Sequence, residues 1–158
     1  MNATTPRNKN QTKQDYETPD DFFGAVKKRF PFIVDLAATP ENAKCEAYYT
    51  PEENSWLYSW SVHYGWLWLN PPFKNIRPWA DKCYKESQLG AKIVMLTPAS
   101  VGSNWFKEIC FGKCQVIFLN GRLTFKGETK PYPKDCMLTV WSKDNFKNIE
   151  IWDWRKFV

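Results

Sequence analysis

Asn70-Pro71-Pro72-Phe73 follows directly on an apolar run, Tyr64–Leu69, and its residue types make a specific device. Pro71 and Pro72 lack an N–H and have a fixed φ, so they hold the backbone carbonyls rigid and outside any regular ladder. Asn70 sets a side-chain carbonyl beside them. Two convergent acceptors of this kind can take both hydrogens of an exocyclic amino group on a nucleobase. That draws electron density onto a nitrogen whose lone pair is otherwise delocalised into the ring, and makes it a nucleophile. Phe73 supplies a flat face on which a base can stack. The same four residues would also serve as a plain stiff loop, and their position after an apolar strand favours the chemical reading, because open α/β sheets bind ligands beyond the carboxyl ends of their strands.

Two further stretches have the same character. Val34-Asp35-Leu36-Ala37-Ala38-Thr39 is a strand that ends at a carboxylate and small residues, where Ala37 and Ala38 allow a ligand close to the backbone. No Gly-x-Gly-x-x-Gly occurs, and no glycine lies between Gly24 and Gly65, which argues against a dinucleotide or phosphate cradle. The ligand expected at Asp35 is cationic or amine-bearing, although a strand-end Asp is also a common turn residue. Tyr16-Glu17-Thr18-Pro19 opens a helix whose free N–H groups suit a ligand carboxylate, and a simple helix cap accounts for the same residues. Metal chemistry is not expected. His63 is the only histidine, and Cys110 and Cys114 have C-x3-C spacing without a second pair.

These residues need elements to hold them. Thr18 as N-cap, Pro19 in the first turn and apolar Phe22, Phe23, Val26 and Phe30 at helical spacing predict a helix over 19–29. Phe32–Ala37, Tyr64–Leu69 and Lys92–Thr97 read as buried strands, and Asn42–Ala47 as one or two helical turns. Pro78–Leu89 predicts a helix with Trp79, Ala80, Cys83 and Tyr84 on one side and Gly90 as its stop. Asn104–Phe111 predicts another. Gln115–Leu119 and Arg122–Lys126 flank Asn120-Gly121, a strong two-residue hairpin signal. Cys136–Trp141 and Asn148–Trp152 are later strands. Helices alternating with apolar strands, and a hairpin late in the chain, predict a compact three-layer α/β/α domain with a mainly parallel sheet and antiparallel strands at one edge.

Composition sets the outer limits. The chain has 158 residues, 43% of them hydrophobic and 17% aromatic, which excludes a disordered polymer. No run approaches the roughly 18 apolar residues of a membrane span, and the first 14 residues lack an apolar signal-peptide region. Five cysteines without an export signal read as reduced thiols in a cytoplasmic compartment. Net charge is +5, and Arg7, Lys9 and Lys13 fall in a segment 1–14 without acids, read as a flexible basic arm. Residues 15–158 are left nearly neutral, so any polyanion footprint on the body has to come from local clusters. The best of these is Asn120–Asp135 with Arg122, Lys126, Lys130 and Lys134, followed by Lys74 and Arg77 beside the Asn70 loop. Most of the nine tryptophans fall in apolar strands or helix faces, which favours core packing over a set of stacking platforms for nucleic acid.

The chain resembles the phage-type DNA N6-adenine methyltransferases, the Dam-like family. The likeness covers about Tyr16 to Trp141 and rests on Thr18-Pro19, Asp35-Leu36-Ala37-Ala38, Asn42-Ala43-Lys44 with Tyr48, and Glu53-Asn54-Ser55 before Trp60. It continues through Trp68-Leu69-Asn70-Pro71-Pro72-Phe73 with Trp79, Leu96-Thr97-Pro98-Ala99, Trp105-Phe106 and Gly121-Arg122-Leu123-Thr124-Phe125. The resemblance implies an S-adenosylmethionine-dependent methyltransferase fold and transfer of a methyl group from S-adenosyl-L-methionine to the amine of an adenine flipped out of double-stranded DNA. It implies a catalytic Asn70, Pro71, Pro72 and Phe73, and cofactor contacts at Tyr16, Thr18, Pro19, Asp35, Ala37, Glu53 and Asn54. DNA contacts are expected at Lys74, Arg77, Arg122, Lys126 and Lys130, from loops of residues 15–158 rather than a separate target-recognition domain. A phage or prophage protein acting in the bacterial cytoplasm, with neither membrane nor metal as a partner, completes the expectation. Cytosine-N4 or RNA-adenine methylation, and a catalytically silent nucleic-acid-binding protein, are the competing readings.

Overall fold

A computed structural model describes residues 16–158; the basic arm expected over 1–14 lies outside them. Helix α1 spans Asp20–Arg29, with Asp20 and Asp21 in its first turn and Lys27, Lys28 and Arg29 in its last, both favourable to the helix dipole. The strands are β1 Phe32–Asp35, β2 Ala47–Tyr48, β3 Trp66–Leu69, β4 Lys92–Pro98, β5 Gln115–Leu119, β6 Cys136–Trp141 and β7 Ile149–Trp152. Helix α2, Arg77–Gln88, joins β3 to β4, with Pro78 in its first turn. The seven strands form one sheet in the order β2-β1-β3-β4-β6-β5-β7. Every pairing is parallel except the two made by β6, which runs antiparallel between β4 and β5.

Alternation along the central strands divides the core into two layers. Leu67, Leu69, Ile93 and Met95 face α2 through Ala80 and Cys83. Trp68, Val94 and Leu96 face α1 through Phe22, Phe23 and Val26. A bulge between Phe32 and Val34 shifts the β1–β3 register, so these two residues point to opposite faces despite their even spacing. Helices on both faces make the expected three-layer α/β/α domain. Trp60, Trp68 and Trp141 are fully buried, and Trp105, Trp152 and Trp154 nearly so, which assigns most of the indoles to the core. Among the described residues no helix is long and apolar enough to cross a membrane.

Three local expectations are corrected, and a fourth, the helix over Asn104–Phe111, is met largely in π-helical form. Arg122–Lys126 is not a strand, and the antiparallel partner of β5 is β6, which returns only after a 16-residue excursion. Asn120-Gly121 instead marks the departure of the chain from β5. Asn120 Oδ1 accepts from Arg155 at 2.8 Å, the Gly121 carbonyl accepts from the Trp154 indole at 3.3 Å, and Gly121 has φ +103°. Asn42–Ala47 is a turn leading into β2 rather than a helix. There Asn42 Oδ1 takes the Thr39 N–H at 2.7 Å, a local bond that competes with helix. Within Asn104–Phe111, Phe106–Cys110 forms a π-helical turn, closed by a 2.8 Å bond from the Phe111 N–H to the Phe106 carbonyl. Thr18 does not cap α1: Pro19 stands at the cap without a side-chain bond, and Asp21 accepts the Phe22 N–H at 2.7 Å.

Gly121→Ala tests the demand of the left-handed turn at Gly121. A left-handed φ costs an L-residue about 1–2 kcal/mol, so the urea midpoint should fall with an unchanged slope. An unchanged midpoint would show that the left-handed turn carries no such demand.

Candidate functional site

Asp35 ends β1 and Asn70 follows β3, two adjacent parallel strands from which the chain proceeds in opposite directions across the sheet. Such a switch point leaves a crevice beyond the strand ends. A cleft of about 650 Å³ lies there, within the range of small-molecule sites. Tyr16, Glu17 and Thr18 form one wall, Asp35 to Thr39 the floor, Tyr49 to Pro51 with Asn54 to Trp56 a second wall, and Asn70, Pro71 and Pro72 a third. Lys44, Trp79 and Lys126 complete the rim.

The side chain of Asn70 is oriented by hydrogen bonding. Its Nδ2 donates to the Tyr16 carbonyl at 2.6 Å and to Thr18 Oγ1 at 3.0 Å. A backbone carbonyl can only accept, so the amide nitrogen must face Tyr16 and the amide oxygen must face away. That oxygen, Oδ1, is buried and has no hydrogen-bond partner among the described residues. An orphaned buried acceptor costs about 1–3 kcal/mol, and the residue that carries this one lines the cleft. Thr18 is only 2% exposed, and its hydroxyl is engaged by Asn70.

Phe73 lies outside the lining of the cleft. Its ring stacks on Tyr16 at 5.4 Å with 29° between planes, and sits 6.0 Å from Phe125 and 5.8 Å from Tyr132. Tyr16, Phe125 and Tyr132 also meet one another at 5.0–5.5 Å, closing a four-ring cluster. Beyond it is a second cavity of about 370 Å³, bordered by Tyr16, Phe125, Tyr132 and Lys130. The chain segment that holds Asn70 therefore also walls both cavities.

Asp35 is 3% exposed, and its two oxygens accept from the Ala37 N–H at 3.2 Å and the Lys44 N–H at 3.0 Å. Burial nevertheless pushes its carboxyl up to about 6, against the two backbone donors and the Lys44 charge. Asp35 thus fixes the turn after β1 and also lines the cleft. The N–H groups after β1 are used internally, Leu36 on the Trp68 carbonyl and Ala38 on that of Tyr49, so no phosphate cradle forms. At the rim, Lys44 and Lys126 each reach Asp20 at 3.0 Å and Glu17 at 3.7 and 3.4 Å. These contacts hold the Asp20 carboxyl below the usual range.

Of the residues expected to hold a cofactor, Tyr16, Thr18, Asp35, Ala37 and Asn54 line the cleft, whereas Pro19 and Glu53 do not. Of the expected duplex contacts, Arg77 pairs with Glu108, Arg122 with Asp135 and Lys126 with two carboxylates. Lys74 and Lys130 are exposed and form no ion pair among the described residues. Tyr49, Trp56 and Trp79 line the cleft without having been singled out for it. Trp56 and Trp79 meet edge to face at 5.2 Å, and Tyr49 hydrogen-bonds His63 at 2.9 Å. The usable signal for Tyr49 was its place just past β2, another carboxyl end of a parallel strand. Among the described residues no group of three or more His, Cys, Asp or Glu is arranged to hold a metal.

The family model for DNA N-6-adenine-methyltransferase (Dam) matches residues 5–149. The DNA N-6-adenine-methyltransferase of Escherichia phage T1 is 26% identical over 136 residues, covering 85% of this chain and 57% of that protein. That of Haemophilus phage HP1 (strain HP1c1) is 28% identical over 126 residues, covering 77% of this chain and 72% of the relative. The chain thus spans little more than half of the first relative and under three-quarters of the second. The mainly parallel α/β domain agrees with the fold that the resemblance implied. With the family model covering nearly its whole length, the chain belongs to the DNA N-6-adenine-methyltransferase (Dam) family.

Proposed function

We propose that the protein transfers a methyl group from S-adenosylmethionine to the N6 amine of an adenine extruded from double-stranded DNA. The observation that carries this reading is the partnerless Oδ1 of Asn70 in the cleft wall. An amino hydrogen satisfies it, and the Pro71 carbonyl takes the other. Together they localise the lone pair on N6 and fix its direction, so alignment supplies much of the rate and no enzyme nucleophile is needed. Pro71 and Pro72 keep the second acceptor from drifting. For adenine to lie against Phe73, the contact of that ring with Tyr16 or Tyr132 must open, so base capture includes parting the four-ring cluster.

The cleft fits the cofactor by its donor set. The Asp35 and Glu17 carboxylates suit its amine, Lys44 and Lys126 suit its carboxylate, and the rings of Tyr49, Trp56 and Trp79 with the Asn54 side chain suit its adenosine. When bound, S-adenosylmethionine supplies an electrophilic methyl group. The duplex approaches over Lys74 and Lys130, the two cations of the expected set with no acid partner among the described residues. Methylation of cytosine N4 or of RNA adenine uses the same amino-group chemistry, and the family match favours adenine in DNA. Mass spectrometry of nucleosides after incubation with duplex DNA and with RNA separates these products.

Asn70→Ala should lower methyl transfer by about 10²–10³-fold or more while the cofactor dissociation constant stays within about threefold. Turnover at the wild-type rate would remove Asn70 from the mechanism.

Asp35 carries a pH signature. Its folded-state value, about 6, lies above the ordinary 3.8, so its contribution to stability is present below 3.8 and lost as pH rises through 6. The ionised form is unfavourable to the empty protein and favourable to a cationic ligand. Cofactor affinity by calorimetry should fall about tenfold per pH unit below 6. An affinity flat from pH 5 to 8 would contradict a charge contact at Asp35.

Lys74→Ala and Lys130→Ala should each reduce the slope of log DNA affinity against log salt by about 1. Slopes equal to wild type would move the duplex to another face.

A further inference from the structure

We propose that Thr18 is a positioning residue for Asn70, holding the amide plane so that Oδ1 presents to the cleft, rather than a cofactor ligand. The inference rests on Asn70 being the amino-group acceptor. An amide NH2 has two hydrogens, and here both are engaged: one on the Tyr16 carbonyl at 2.6 Å, the other on Thr18 Oγ1 at 3.0 Å. The two contacts do different work. The Tyr16 carbonyl decides which end of the amide faces inward, since a flipped amide would set oxygen against oxygen. One bond still leaves the plane free to rock about χ2, a broad torsion for asparagine. The second bond, from a β-branched and therefore stiff side chain, removes that freedom.

Thr18 is also placed so that little else claims its hydroxyl. It is 2% exposed, it makes no capping bond to α1, and the helix N-terminus is served by Asp21. A threonine before a proline at a helix start is a familiar cap, yet this hydroxyl crosses 52 residues of sequence to reach the residue after β3. Methyl transfer depends on alignment of the attacking nitrogen, so a small loss of amide order appears in turnover rather than in cofactor binding.

The test compares Thr18→Val, which keeps the shape and removes the oxygen, with Thr18→Ser, which keeps the oxygen. In Thr18→Val, kcat on duplex DNA at saturating cofactor should fall about tenfold, while calorimetry gives a cofactor dissociation constant within twofold of wild type. Thr18→Ser should recover kcat to within about threefold. In 15N–1H spectra of the ligand-free protein, the Asn70 side-chain amide should show one hydrogen exchanging faster with water in Thr18→Val. Thr18→Ala repeats the comparison should Thr18→Val fail to fold. Weakened cofactor binding with unchanged kcat would make Thr18 a cofactor ligand and overturn the proposal, as would a serine variant no better than valine. A wild-type Thr18→Val beside an inactive Asn70→Ala would refute only the positioning role. A fully active Asn70→Ala would refute the role of Asn70 itself.

Discussion

An amide has one end that donates and one that accepts, and the site depends on which end Asn70 turns to the cleft. Two acceptors on the segment before α1 take the nitrogen, so the oxygen is left without a partner among the described residues. That segment must be held firmly for the constraint to mean anything. It is held from both sides: the Lys126 N–H donates to the Glu17 carbonyl at 3.0 Å, and the Tyr16 ring is enclosed by Phe73, Phe125 and Tyr132. The excursion between β5 and β6, the start of the first helix and the end of β3 are thereby tied together over one small area. Everything else in the fold serves to bring those three segments to the same end of the sheet.

Stability is given up in the same place. The partnerless Asn70 oxygen and the buried carboxylate of Asp35 each work against the folded state in the absence of a ligand. Among the described residues one other buried side-chain oxygen, Glu150 Oε1, has no hydrogen bond, and it is ion-paired with Arg29 at 2.6 Å. Glu86 at 5% exposure receives the Trp60 N–H at 3.1 Å and the Lys82 ammonium at 2.7 Å, and the Trp60 indole donates to the Ser55 carbonyl at 3.0 Å. An unpartnered amide oxygen and a carboxyl raised by burial thus belong to two residues that line the same cleft.

Much of this was legible in the residues. β1, β3 and β4 announced themselves as apolar runs, because strands buried on both faces carry no alternation, and α1 and α2 by apolar spacing with charged or proline-marked starts, whereas the two-residue β2 was read as helical turns. The Asn70 tetrad and Asp35 stood out because strand ends are where backbone order stops and side chains are free to act. What the sequence concealed was long-range. Asn120-Gly121 has a strong local preference for a tight turn, and it lost to β6, which fills the space beside β5 with six buried residues and leaves Arg122–Lys126 no edge to pair with. Thr18-Pro19 has a strong local preference for capping, and the hydroxyl went instead to a partner 52 residues away. Lysine and arginine are read from sequence as free charges, yet Arg77, Arg122 and Lys126 are paired with acids that only the fold brings near. Phe73 was expected over the base and is packed among three other rings, a contact no spacing rule anticipates.

The most direct measurement is a crystal structure of the protein with duplex DNA and an unreactive cofactor analogue. The account predicts an extruded adenine whose N6 lies about 2.7–3.2 Å from Asn70 Oδ1 and from the Pro71 carbonyl, with the Asn70 nitrogen still on Tyr16 and Thr18. An adenine bound elsewhere, or an Asn70 amide turned with its nitrogen toward the base, would contradict it.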